Sequence, residues 1–275
     1  MLTLNYFVRK RADVSREQFR EFWLKEHFER RRPVIREIGV KKYVKCETLH
    51  DDPANGLLRG IYGTPEDTYD FVDQWVIGDL ADMKRGLTLE NVREAIQGWA
   101  KEESPFVDFS RSDIWMTVDV PQLFPRNDIE ASWENTYLKA IMVASYRPEL
   151  TMTGAQLHWN ACHGALARQF ASFLPYDKYI QAHRLESAVL DDLKGLMGAA
   201  FEERLCVMGQ AEVWMDRRAA ANLSGPEADR MMQMLVEDIS LFVQLENAHL
   251  FAGKEHVMHS EPIITPPLPK LFSAD

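Results

Sequence analysis

The sequence predicts an α+β fold made of two tandem copies of one βαββαβ unit. Two observations carry this reading: a gapless self-alignment at a fixed offset of 136 residues, and strand-like stretches alternating with helix-like ones in each copy. Leu2 meets Leu138, Arg11 meets Arg147, Trp23 meets Trp159, His27 meets His163, Lys42-Tyr43 meets Lys178-Tyr179, and Leu49 meets Leu185. Tryptophan and histidine are rare, so a shared WxxxH followed at fixed distance by a shared KY marks a duplication. Beyond residue 49 the copies diverge, and Trp75 set against Trp214, with a second helical pattern, keeps the correspondence visible.

Each element has a local cause. Residues 2–8 are short, β-branched and aromatic, and end at a charged turn, which predicts a strand. Ser15 opens SREQ, a capping box whose hydroxyl and Gln18 side chain satisfy free amides of a first helical turn. Phe19, Phe22, Trp23 and His27 recur at helical spacing, so the first helix is expected over 15–32, stopping before Pro33. Residues 40–49 alternate as a second strand, DDPANG and GTPED read as turns, and 71–77 is a third strand. A polar helix over 79–102 and a strand near 111–118 complete βαββαβ, the ferredoxin-like order. The second copy repeats it with strands 138–144, 178–186, 208–215 and 249–258 and helices 151–172 and 226–247, plus an apolar connection at 187–207 able to hold a short helix. The expected units are 1–120 and 137–260, joined by a linker at 121–136; the proline-rich 261–275 is expected to lie extended.

Composition bounds the function. Lys and Arg number 32 against 42 Asp and Glu, a net charge of −10, which disfavours nucleic acid and anionic membrane as partners. The one basic cluster, Arg30-Arg31-Arg32, falls at the end of the predicted first helix and reads as solvated charge complementing that terminus. Cys46, Cys162 and Cys206 have neither disulfide-framework nor zinc spacing. No apolar run is long enough for a membrane span and no leader pattern opens the chain, so a cytoplasmic protein is expected. No phosphate loop, nucleophile elbow or nucleotide fingerprint occurs, and no cofactor or metal is expected; His249, His256 and His259 read as solvated or capping histidines.

The candidate chemistry lies on the first helix and second strand of each copy. Trp23 with His27, and Trp159 with His163, lie four apart on one helix face. Alone, such pairs are ordinary core. Their survival in two diverged copies, and the alternation of Tyr179, Gln181 and His183 along one strand face, point instead to a lined pocket, because a buried polar row needs polar partners. His27 and His163 are candidate acid/base groups, Tyr179, Tyr43 and His183 candidate donors, and Trp23 and Trp159 flat walls for an aromatic ligand. Gln181, Asn5 and Tyr6 are candidate contacts. Glu47 would be an acid or base if buried, and a surface partner of Lys45 if not.

The segments SREQFREFWLKEHF and KYIQAHRL resemble the Trp-then-His helix and the Tyr-x-Gln-Asn-His strand of the EthD-like family, in the dimeric α+β-barrel superfamily. The resemblance covers about 1–120 and 137–258. Trp159, His163, Tyr179, Gln181 and His183 match; in the first copy Trp23, His27 and Tyr43 match, but Lys45 stands for Gln and Glu47 for His, and Cys46 and Ala182 depart from the usual Asn. The two pockets are therefore not equivalent. The resemblance implies that two sheets close on each other, here inside one chain as a pseudo-dimer or by exchange in a homodimer. It also implies a cofactor-independent lyase in a catabolic pathway, cleaving C–C or C–O bonds of an aromatic or similarly apolar small molecule after proton abstraction. The alternatives are a cofactor-free monooxygenase of quinol-like substrates and a non-catalytic accessory protein that binds an apolar metabolite.

Overall fold

Strand alternation gives every strand of this protein two different neighbours: helices on one face, the opposing sheet on the other. The computed structural model describes residues 1–123, 129–201, 206–221 and 224–261. Strands β1 (Leu2–Val8), β2 (Val40–Thr48), β3 (Phe71–Ile77) and β4 (Asp113–Leu123) come from the first half. Strands β5 (Tyr137–Ser145), β6 (Tyr176–Leu185), β7 (Val207–Asp216) and β8 (His249–Ser260) come from the second. All pairings are antiparallel, and the strands close into an eight-stranded barrel in the order β1-β3-β2-β8-β5-β7-β6-β4. Two seams, β2–β8 and β4–β6, join the halves within one chain and leave no open sheet edge.

Inside the barrel the polar faces of both sheets satisfy one another. The Asn5 amide donates to Thr117 at 3.0 Å, and its carbonyl accepts from Gln74 and Gln210, each at 2.9 Å. Lys139 sits between Glu212 at 2.8 Å and Glu255 at 3.2 Å. Burial alone would lower its pKa, but the two carboxylates raise it further than burial lowers it. Asn5, a predicted ligand contact, is thus part of the barrel interior, because it lies one residue out of phase with the helix-facing Leu4 and Tyr6.

The first helix differs from expectation. It is capped by Ser15 and Gln18 as read, but runs as α1 (Arg16–Glu21), a π-helical segment Phe22–Glu26, and α2 (His27–Glu37), passing through Pro33. Val34, Ile35 and Ile38 continue its buried stripe beyond the proline, and packing outweighs the lost hydrogen bond. Arg31, read as solvated, is therefore carried inward and is 1% exposed. The turn-rich stretch holds a helix, α3 (Pro53–Tyr62): Asp52 caps it, Pro53 opens it, and Gly63 ends it at φ 66°. The polar helix over 79–102 is two, α4 (Leu80–Gly86) and α5 (Glu90–Glu103).

In the second half, α6 (Met152–His158), a π-helical segment Trp159–His163 and α7 (Gly164–Gln169) form the first helix. The connection at 187–207 carries α8 (Ala188–Met197), as expected. A short α9 (Arg217–Ala221) follows β7, and α10 (Pro226–Ile239) ends earlier than predicted, before a 3₁₀ turn at Leu245–Asn247. The linker is not a free tether: β4 reaches Leu123, and Ile129 and Ala131 pack against Ile180 and Trp214. The proline-rich tail beyond Glu261 lies outside the described residues. No helix among those described is long and apolar enough to cross a membrane.

Strand register corrects one expected pairing of the two halves. Leu4 lies opposite Trp75, and its counterpart Ala140 lies opposite Val213, not Trp214. Trp75 packs in the core cluster on the helix side, whereas the Trp214 indole donates to Glu255 at 2.8 Å inside the barrel. A slip of one residue reverses the face.

Candidate functional site

The π-helical segments fall within one residue of the same place in both halves: the second, Trp159–His163, is the WxxxH motif itself, and the first, Phe22–Glu26, holds Trp23 and ends just before His27. The amide of His27 reaches back to the Phe22 carbonyl, and that of Gly164 to Trp159. One extra residue per turn rotates the following helix, and such turns recur at functional sites. The surroundings of the two histidines then diverge.

In the second half the histidine lines a cavity. Between β5–β8 and the helices lies an apolar space of about 60 Å³, walled by Trp159, Met142, Val213, Leu235 and small side chains, with His163, Tyr62, Tyr176 and Tyr179 at its edge. At ~10–15 Å³ per water centre, it holds about four to six heavy atoms as it stands, so a ring-sized ligand enters only as the lining moves outward. His163 Nδ1 lies 2.8 Å from Asp238 Oδ2, and Nε2 has no hydrogen-bond partner among the described residues. An imidazole that donates Nδ1–H to a carboxylate presents Nε2 as a proton acceptor. Burial would raise the Asp238 pKa, but hydrogen bonds from His163 and His158 bring it below the ordinary value and keep it anionic.

Tyr179 is oriented by elimination. Its hydroxyl oxygen accepts from Trp159 Nε1 at 3.1 Å and from Gln181 Nε2 at 3.2 Å, so both lone pairs are engaged and its proton is left to donate. Burial raises its pKa, so it stays protonated at neutral pH. Gln181 is fully buried and also donates to the Trp159 carbonyl at 2.9 Å, which fixes the π turn to β6. His183 approaches Gln181 Oε1 at 3.2 Å and stacks on Trp159 at 4.9 Å and 4°. It buttresses the cavity wall without lining the cavity, and burial lowers its pKa to about 4.

In the first half the matching space is filled by the chain's own side chains, leaving about 10 Å³. Register places Leu4, Tyr6, Asp73 and Trp75 where the second half has Ala140, Met142, Ala211 and Val213. Arg31 stands at the 136-residue counterpart of Ala167. His27 is 1% exposed and stacks on Trp23 at 3.8 Å. Its Nδ1 is 2.8 Å from Lys45 Nζ and its Nε2 is 3.2 Å from Glu103. Burial, then the Lys45 and Arg31 charges, hold its pKa well below the ordinary value. Tyr43 donates to Asp73, which also accepts from Trp23 Nε1 at 2.8 Å; Tyr6 donates to Glu103 at 2.8 Å, and Arg31 pairs with Glu103. Burial raises the pKa of both carboxyls against these cations and donors, and lowers Lys45 to about 8. Every polar group of His27 is thus committed, so His27, Tyr43, Trp23 and Tyr6 form a closed ionic core.

Glu47 is not a partner of Lys45 and lies away from the His163 cavity, half-buried on an open cleft with Arg16 and His50. It pairs with Arg20 at 2.7 Å and His256 at 2.8 Å across the β2–β8 seam. His249, read as solvated or capping, is buried and approaches the Asp67 carbonyl at 2.7 Å. Sequence reasoning missed Asp238, Tyr62 and Tyr176. Asp238 stands 136 after Glu102, so the 136-residue offset, resumed past the divergent middle, points to it. Tyr62 lies between the turns DDPANG and GTPED, in a segment to which no element was assigned. Among the described residues no three His, Cys, Asp or Glu side chains are placed to hold a metal.

No protein-family model matches the chain, and no curated protein matches it in sequence. Solved structures similar along its length include a candidate monooxygenase from Lactobacillus acidophilus, at 7% identity over 94% of this chain and 97% of that one with a TM-score of 0.44. A candidate monooxygenase from Fusobacterium nucleatum shares 6% over 94% and 92%, with a TM-score of 0.47. A heme-binding protein from Thermus thermophilus shares 12% over 92% and 90%, with a TM-score of 0.41. Likeness this remote carries no argument about function.

Proposed function

We propose that the protein is a lyase whose working site is the second-half cavity, where His163 starts C–C or C–O cleavage by taking a proton from a small apolar, aromatic-type molecule. The observation that carries this is the His163–Asp238 pair at 2.8 Å, set on the wall of an apolar cavity beside the committed donor Tyr179. His163 Nε2 accepts the proton, Asp238 stabilises the imidazolium, and the Tyr179 hydroxyl donates to the oxygen on which charge develops. The C–C or C–O bond β to the deprotonated atom then breaks with its electron pair on the departing carbon or oxygen, which takes the proton back from His163. We read the two halves as duplicated EthD-like units; the shared offset, the matching strand orders and the paired π-helical segments support it. The first half is then the structural partner.

The test is deuterium uptake at acidic C–H positions of small aryl ketones and phenols in D2O, followed by NMR. Uptake by the native chain and a loss of at least about 100-fold in His163→Gln and Asp238→Asn are expected, since each removes the base or its tautomer. Uptake unchanged in His163→Gln refutes the base assignment. Binding without uptake refutes catalysis in favour of a carrier, and oxygen consumption alongside uptake redirects the reading to oxygenation.

A further inference from the structure

Two histidines meet the carboxylate that serves the cavity. His163 Nδ1 lies 2.8 Å from Asp238 Oδ2, and His158 Nε2 lies 3.1 Å from Asp238 Oδ1. His158 is the last residue of α6, and His163 is the last residue of the π-helical segment that follows. Five residues turn a regular α-helix by about 500°, which would leave the two rings ~140° apart around its axis. The π turn, bonded from i to i+5, brings them to one side instead. Both rings then pack on Phe242, at centroid distances of 5.0 Å for His158 and 5.7 Å for His163.

The first half shares the ring packing and lacks the donor. At the 136-residue counterparts of His158, Asp238 and Phe242 stand Phe22, Glu102 and Phe106. Phe22 stacks on Phe106 at 3.9 Å and 8°, and meets His27 edge-on at 6.1 Å. Glu102 turns to Arg31 at 3.5 Å and Arg30 at 3.7 Å, and the counterparts of those arginines are the neutral Ala167 and Leu166. A ring at position 158 is therefore enough for the packing. What histidine adds there is an N–H aimed at the carboxylate beside the cavity.

We propose that His158 is a positioning residue for the base: it holds Asp238 Oδ1 so that Oδ2 keeps His163 in the tautomer whose Nε2 accepts a proton. A carboxylate only accepts, so each ring nitrogen facing Asp238 carries a proton, Nδ1 of His163 and Nε2 of His158. With one donor on each oxygen, the plane of the carboxylate is fixed. The Asp238 side chain is 18% exposed, so without His158 it can turn towards water. His163 is then released to the other tautomer, with its proton on Nε2, where it cannot act as a base. His158 does not line the cavity, so it acts only through Asp238. The assignment rests on His163 being the base of the reaction.

The experiment pairs deuterium uptake at the methyl group of acetophenone with the ring-nitrogen ¹⁵N shifts of His158 and His163, recorded with the imidazoles neutral. In the native chain His163 is expected to be protonated on Nδ1 and His158 on Nε2. His158→Phe, which installs the first-half residue, is expected to lose about tenfold in uptake and to leave His163 as a mixture of tautomers. His158→Gln keeps an N–H donor at the place of Nε2 and is expected to restore most of the uptake and the single tautomer. Native uptake and a native His163 tautomer in His158→Phe overturn the positioning role and leave the base assignment intact. Uptake lost with the His163 tautomer unchanged overturns it as well, as does a Gln variant no better than Phe in both readouts. The native shifts need no variant: a His158 ring unprotonated at Nε2 overturns the proposal by itself. A native chain without uptake overturns the base reading, and the tautomers in His158→Phe still decide whether His158 orients His163.

Discussion

The closed ionic core of the first half makes a quantitative prediction. Arg31 is 1% exposed, pairs with the fully buried Glu103, and lies 4.0 Å from the Trp99 ring centroid. Arg31→Met keeps the stem's volume but leaves Glu103 with the Tyr6 hydroxyl and His27 as partners. Removing one member of a buried pair costs about 3–5 kcal/mol, against about 0–1 kcal/mol for an exposed pair. With 275 residues and a melting entropy of about 2.1 cal/mol/K per residue, that is a fall of roughly 5–9 °C in Tm. The seams make the barrel one cooperative unit, so a single transition should move, read by calorimetry. The sign with pH is fixed. Burial already raises the Glu103 pKa and Arg31 pulls it back, so the variant raises it further. A carboxyl raised in the folded state loses stability as pH rises through its folded value, so the loss is larger near pH 8 than near pH 5. Adding Glu103→Gln removes the stranded charge and should restore most of the Tm. A fall of less than about 2 °C near pH 8, or an equal fall at both pH values, refutes the view that this charge pair is buried and dry.

Two further predictions address the second half. Ala211→Leu places three more carbons in the cavity and should abolish acetophenone binding by calorimetry, while shifting stability by no more than about 1–2 kcal/mol, since the space is already there. His183, held near 4 by burial, contributes stability that is complete above its unfolded value near 6.5 and is lost as pH falls towards 4. His183→Gln should therefore reduce the loss of unfolding free energy over that window by about 1–2 kcal/mol, allowing for the ring's partial exposure.

Most strands were legible because alternation is a local property: β1, β2, β3, β5 and β7 fall within a residue or two of their sequence positions. The first helix was legible at its start, where Ser15 and Gln18 form a local cap, and not at its end, where burial of Val34, Ile35 and Ile38 carries it past Pro33. Residue types at the site were read from the pattern shared at an offset of 136 residues, but their roles were not. Trp23–His27 and Trp159–His163 share a motif and a π turn, yet one histidine is sealed by Lys45 and Glu103 and the other faces a cavity.

By itself the sequence determined that the chain is α+β, that its first and second halves share a pattern at an offset of 136 residues, and that Trp, His and Tyr recur at matched positions. These are matters of period and spacing, which neighbouring residues carry. Only the tertiary structure decided which half keeps an open space, because a cavity depends on side chains that meet from distant segments. Ala140, Ala167 and Ala211 leave room that Leu4, Arg31 and Asp73 fill, and Tyr62 reaches the space, as Asp238 reaches His163, from elements far along the chain. A bulge of one residue turned Tyr176 inward, and a one-residue register difference turned Trp214 away from the place of Trp75. Strand faces alternate with every residue, so such shifts reverse which side a residue serves without leaving a trace in composition.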